Sequence, residues 1–218
     1  MRAHRWVVGM LVLTTAWAAM ASGADARRRR PALKCYPRKA VTLQASEGVR
    51  VYRRRDDVVA CSLRNGRKTR LGAVAGSGGN EVVSLSVGGR YAAYALGRLP
   101  KSAAGTFASQ TLALLDARTG RPVAFGGQGC DQIPDATVSF PSLAVTPSRQ
   151  FAWICVGSSA TAGRVEVHRF DRTGSTTLDL STTLSGPDAI TATSLAISRT
   201  GNVVYWSRPT GAAMAPLS

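Results

Sequence analysis

Lysine is scarce in this 218-residue chain. Lys34, Lys39, Lys68 and Lys101 are the only four among 28 cationic residues, the rest being arginine, against 12 acids and a formal charge of +16. Acids are few, and neither Asp56-Asp57 nor Asp131 with Asp135 makes the spaced oxygen series of a calcium loop. Histidine is scarcer still, with His4 and His168 alone. No Gly-x-Ser-x-Gly elbow is present, although the members of a Ser-His-Asp set can lie far apart in sequence and a hydrolase stays open. The four cysteines include no Cys-x-x-Cys pair, which argues against a metal site, so no cofactor or metal is expected. Gly76-Ser77-Gly78-Gly79 lacks the Lys and Ser or Thr of a phosphate loop and reads as a connection. Long apolar runs are missing too. No segment after residue 26 nears the roughly 20 apolar residues of a membrane span, and no stretch of ten residues carries an apolar stripe at helical spacing.

What is present begins with Arg2, Arg5, a mostly apolar Trp6–Met20 and small residues at 21–26, the layout of a cleaved secretory signal over 1–26. The expected product is a secreted or envelope-associated chain of charge +15. Residues 27–40, with four consecutive arginines and two prolines, read as a basic linker or tail. Residues 41–218 are enough for one all-β domain. In an exported chain, Cys35, Cys61, Cys130 and Cys155 imply two disulfides. Three pairings are open, and the short-range one, Cys35 with Cys61 and Cys130 with Cys155, closes the smaller loops.

The chain repeats. Ser84-Leu85-Ser86-Val87, Ser142-Leu143-Ala144-Val145 and Ser194-Leu195-Ala196-Ile197 are copies of one phrase, with a weaker copy at Thr42-Leu43-Gln44-Ala45. Each is followed by an aromatic on an apolar run, at Tyr94, Trp153, Trp206 and Tyr52. Asn65-Gly66, Thr119-Gly120 and Thr173-Gly174 place glycines 54 residues apart, twice over, between strand-like runs. Glycine accepts the positive φ that a tight hairpin demands, and Thr210-Gly211 reads as a fourth copy. One unit is thus a Leu-x-Val strand, an aromatic strand, a run before the glycine turn and a run after it. The expected units are about 41–72, 82–126, 138–181 and 192–218.

Four antiparallel strands per repeat of this length describe a propeller blade. Leu143–Trp153 and Leu195–Trp206 resemble the blade motif of bacterial TolB-like and WD40-like β-propellers. The resemblance implies an all-β, small or incomplete β-propeller-like array of four-stranded antiparallel units. The whole Ser-Pro-Asp-Gly turn of that family is absent, and only three units are complete. Either the segment around Cys35–Ala40 completes the last unit or the sheets stay open, with edges through which a homodimer could form. A β-sandwich is the rival fold.

On this register the loops between second and third strands share one face, gathering Arg53, Arg54, Arg55, Arg98, Lys101 and Arg208 as a cationic rim for an anionic polymer or protein partner. Ordinary solvated arginines are the competing account. Nucleic acid is disfavoured by export. The function these features imply is non-catalytic binding or scaffolding by a secreted β-repeat protein, and the alternative is a hydrolase or lyase acting on cell-wall or extracellular polysaccharide on the same scaffold.

Overall fold

A computed structural model of the chain describes residues 34–77, 79–98, 109–124, 130, 136–171 and 174–217. The first unit holds β1 (Val41–Ala45), β2 (Val49–Arg54), β3 (Asp57–Ser62) and β4 (Lys68–Ala73). The second holds β5 (Asn80–Gly88), β6 (Tyr91–Arg98), β7 (Ser109–Asp116) and β8 (Arg121–Ala124). The third holds β9 (Thr137–Val145), β10 (Phe151–Ser158), β11 (Gly163–Phe170) and β12 (Ser175–Ser181). The fourth holds β13 (Ala196–Ile197), β14 (Val203–Arg208) and β15 (Gly211–Pro216). Within each unit consecutive strands pair antiparallel, and one parallel bridge, Ala73 with Glu81, joins β4 to β5. Among the described residues no helix is long and apolar enough to cross a membrane.

The period-2 side-chain alternation of these strands gives each sheet two apolar faces, and each face needs a neighbour. Val49, Val51, Val58 and Ala60 pack against Ala92, Tyr94 and Leu115 between the first and second sheets. Ala93, Ala95, Leu112 and Leu114 meet Phe151, Trp153 and Cys155 between the second and third. Ala152, Ile154, Val165 and Val167 meet Val204 and Trp206 between the third and fourth. Three successive cores between sheets built from consecutive strands give a propeller-like stack. A sandwich would instead share one core between two sheets. The first strands lie side by side, β1 against β5, β5 against β9 and β9 against β13.

The aromatics of the repeat all stand on second strands and are buried: Tyr52, Tyr94, Trp153 and Trp206 are 2%, 9%, 2% and 4% exposed. Tyr94, Trp153 and Trp206 each face the preceding sheet. Among the described residues no sheet precedes that of Tyr52, and the segment Cys35–Ala40 covers it, pinned by the Cys35–Cys61 disulfide at a Cα–Cα distance of 5.4 Å. Arg50 clamps the same segment, bonded to the Cys35 carbonyl and lying 4.1 Å from the Tyr36 ring centroid. That segment therefore caps the first unit and does not complete the last. Among the described residues the fourth unit has three strands, and the stack does not close into a ring.

Gly66, Gly120 and Gly174 have φ of 71°, 69° and 127° and join the last two strands of their units, as their spacing predicts. Thr210-Gly211 differs. It joins β14 to β15, the second and third strands, so it is not a fourth copy of that turn. The second disulfide, Cys130–Cys155, ties the connection before the third unit to β10. Both short-range pairings are those expected.

Candidate functional site

Antiparallel order places the loops of each unit alternately on two faces. One face carries the loops between second and third strands, where the rim of arginines was expected. Arg53 and Arg54 end β2, Arg55 occupies the turn with φ 55°, and all three are exposed. Arg98 ends β6 and is exposed; Lys101 lies outside the described residues. Arg208 is held by the third sheet. Its Nη2 lies 2.6 Å from Asp179 Oδ1, it donates to the Asp188 and Leu180 carbonyls, and its charge is already matched. Asp179 also accepts from the Trp206 indole N–H at 2.6 Å and the Leu180 N–H at 2.8 Å. Burial alone would raise the Asp179 carboxyl, but Arg208, Trp206 and the Leu180 amide together hold it below the usual carboxylate value.

The opposite face carries the first-to-second and third-to-fourth turns, and it is more cationic. Arg64, Arg67 and Lys68 follow β3, Arg90 follows β5, Arg118 and Arg121 flank the β7–β8 turn, and Arg149 and Arg199 sit in the first turns of units three and four. All eight are exposed. The described acids at this end are Glu47, Asp116 and Asp171, of which Asp116 pairs with Arg90 at 3.2 Å and Asp171 with Arg169 at 3.7 Å.

Between these turns lies a cleft of about 530 Å³, lined by Glu47, Ser62, Arg64, Arg90, Tyr91 and Arg118, with Pro147 and Ser148 of the third unit as a wall. Its framework is backbone. Gly48 N–H donates to the Gly89 carbonyl at 3.0 Å, Leu63 N–H to Gly48 at 3.0 Å and Ala117 N–H to Arg90 at 3.0 Å. The two outer turns are tied by Asn65 Nδ2 donating to the Arg118 carbonyl at 2.9 Å and Arg67 Nη1 to Thr119 at 2.6 Å. Arg90 is committed to Asp116 and to Tyr91 Oη, the latter at 2.8 Å. Among the described residues the Arg64 and Arg118 guanidinium groups make no hydrogen bond or ion pair, and the Ser62 hydroxyl, in a residue 1% exposed, has no partner. Ser62 shares the face of β3 that Val58 and Ala60 turn toward the second sheet, which is the side of the cleft.

The architecture is an open β-propeller-like array. No family model matches the chain, and no curated protein matches it. Solved structures similar to it include a complex of KlAtg21 with the coiled coil of AgAtg16, at 12% identity and TM-score 0.45 over 79% of this chain and 50% of that one. The WD40 domain of SCAP from fission yeast is 13% identical with TM-score 0.36, covering 82% and 42%. A prolyl endopeptidase is 17% identical with TM-score 0.41, covering 90% and 32%. This chain spans half or less of the length of each.

A second polar cluster lies on the third sheet. His168 Nε2 is 2.6 Å from Glu166 Oε2, His168 Nδ1 is 3.3 Å from Thr177 Oγ1, and Arg164 Nε pairs with Glu166 Oε1. Trp153 stacks on the imidazole with centroids 5.1 Å apart and planes at 9°. The cross-strand register makes this cluster, since Trp153 opposes His168 and His168 opposes Thr177. His168 and Glu166 are 4% and 3% exposed, and Thr177 is exposed. Both ring nitrogens are engaged, so the cluster joins β10, β11 and β12 at their centre. The arginine cleft escaped sequence reasoning because its members come from five turns in three units. The signal available was Arg-Asn-Gly-Arg at 64–67 beside Ala-Arg-Thr-Gly-Arg at 117–121, in equivalent turns.

Proposed function

We propose that this chain is a secreted, non-catalytic β-repeat binding module whose first-to-second and third-to-fourth turns engage an anionic polymer or surface. The observation that carries the reading is the concentration of eight exposed cations at that end of the stack, of which only Arg90 has an acidic partner among the described residues. A one-sign field at a rigid face raises the local concentration of an opposite charge and steers its approach. The two disulfides support an oxidising compartment, as for an exported protein. Arg53, Arg54 and Arg55 add charge on the opposite face, beside Asp56 and the Asp57–Arg70 pair.

Titration of the full chain with a polyanion such as polyglutamate should give binding that weakens steeply between low and physiological salt. The Arg64→Gln/Arg118→Gln double variant should lose about 10-fold in affinity at low salt, equivalent to about 1.4 kcal/mol. Arg53, Arg54 and Arg55 changed together to Ser should lose less. Absence of binding at low salt, or a larger loss in the triple variant, overturns the assignment of the face.

The hydrolase alternative rests on the Glu166, His168 and Thr177 arrangement, an acid, an imidazole and a surface hydroxyl in sequence. The burial of the imidazole under Trp153 and its bonding on both sides favour a packing role.

A further inference from the structure

The cleft offers more than positive charge, since a carboxylate and a hydroxyl line it beside its arginines. Among the described residues the Arg64 and Arg118 guanidinium groups have no partner, and the tied turns beneath them hold their backbones in place. A guanidinium accommodates a carboxylate or sulfate oxygen pair better than a point charge does. Ser62 contributes a buried hydroxyl without a protein partner. Such a group is costly unless a ligand or solvent satisfies it. Glu47 lines the same cleft as an acceptor.

Those requirements discriminate among anions. A ligand whose polar atoms are all negative, such as a polyphosphate or a nucleic-acid backbone, would meet repulsion from Glu47 and give it no donor. An acidic peptide would satisfy the arginines through its carboxylates but carries no hydroxyl beside each one. A uronic acid has one carboxylate and two or more free hydroxyls per unit, so it can meet the guanidinium groups, exchange hydrogen bonds with Ser62 and donate to Glu47 together.

We propose that this cleft binds a uronate unit of an acidic polysaccharide, its carboxylate on Arg64 and Arg118 and its hydroxyls on Ser62 and Glu47. The assignment rests on the anionic-partner reading of this face. It names the ligand class and adds two residues that charge alone would not select.

The test compares a mannuronate oligosaccharide with polyglutamate of equal charge, titrated calorimetrically into the full chain at low and at physiological salt. The oligosaccharide should bind more tightly and keep more of its affinity at physiological salt, because hydrogen bonds to hydroxyls are not screened as ion pairs are. Ser62→Ala and Glu47→Gln should each weaken the oligosaccharide about 3- to 10-fold and leave polyglutamate unchanged or, for Glu47→Gln, tightened. Arg64→Gln should weaken both. Thermal melts of each variant confirm that the fold persists. Equal binding of the two polymers, or no effect of Ser62→Ala and Glu47→Gln on the oligosaccharide, overturns the uronate assignment while leaving the anionic face in place. Tighter binding of single-stranded DNA that the oligosaccharide cannot displace also overturns it. Failure of every polyanion at low salt removes the anionic-face reading itself.

Discussion

At the scale of single residues, one carboxylate fastens the fourth sheet to the third. Asp179 on β12 receives Trp206 and Arg208 of β14, and it is about four-fifths buried. Its folded pKa lies below the ordinary value of 3.8, so the stabilisation it brings is complete above that value and is withdrawn as pH falls through the folded one. Asp179→Asn should cost about 1–2 kcal/mol at neutral pH, the range for hydrogen bonds to a charged group that keeps some solvent contact. Denaturant midpoints at pH 7 and in acid, below the ordinary carboxylate value, check this, since the gap between variant and parent should shrink as the carboxylate protonates. A constant gap would mean that the charge contributes nothing. Arg208 illustrates the limit of register: its place on a second-to-third-strand loop was legible, but its partner comes from another unit 29 residues away.

Elements show how much the sequence carried. The aromatic strands, the Leu-x-Val strands and the three glycine hairpins are local patterns of period 2 with punctuation, and a chain can be read for those directly. What could not be read is which backbone approaches which, because that depends on stacking. Gly88 shows why. It closes β5 with nothing unusual in its own φ, yet a Cβ placed there would lie 2.2 Å from the Val145 carbonyl oxygen of the third unit. Gly76, by contrast, has φ 82° and open space around it. Gly88→Ala should therefore cost about 2–4 kcal/mol by forcing two backbones apart, and Gly76→Ala about 1 kcal/mol from its left-handed backbone alone. Urea unfolding of the two variants separates the causes; similar losses would show that the unit interface yields easily. The cleft shared this obstacle, because Gly48 and Gly89 set the spacing of its turns through a bond that crosses from unit one to unit two. Arg149 departs from the resemblance in the same region, taking φ 74° where such a turn favours glycine.

For the whole molecule, the described arrangement is a line of four units with three cores between them, the first two units joined into one eight-stranded sheet by the β4–β5 bridge, and the two ends differ. The first sheet has the Cys35–Ala40 segment over its outer face, fixed by a disulfide and by Arg50. The fourth sheet has only three strands, and its outward side exposes Tyr205 at 37% and Met214 at 69%. A stack in which each unit touches its neighbours has a stability made of unit terms and interface terms, and a unit with one interface opens before a unit with two. Amide exchange should therefore be fastest, among the strand residues, in β13–β15, and slowest in β6 and β10, where Ala93, Ala95, Trp153 and Cys155 fill the central core. Asp179→Asn should accelerate exchange in β13–β15 alone at neutral pH, because it weakens the one interface that sheet has among the described residues. Acceleration spread evenly over β5–β12 would instead mean that the array unfolds as one cooperative body, with the Asp179 clasp felt by all four sheets.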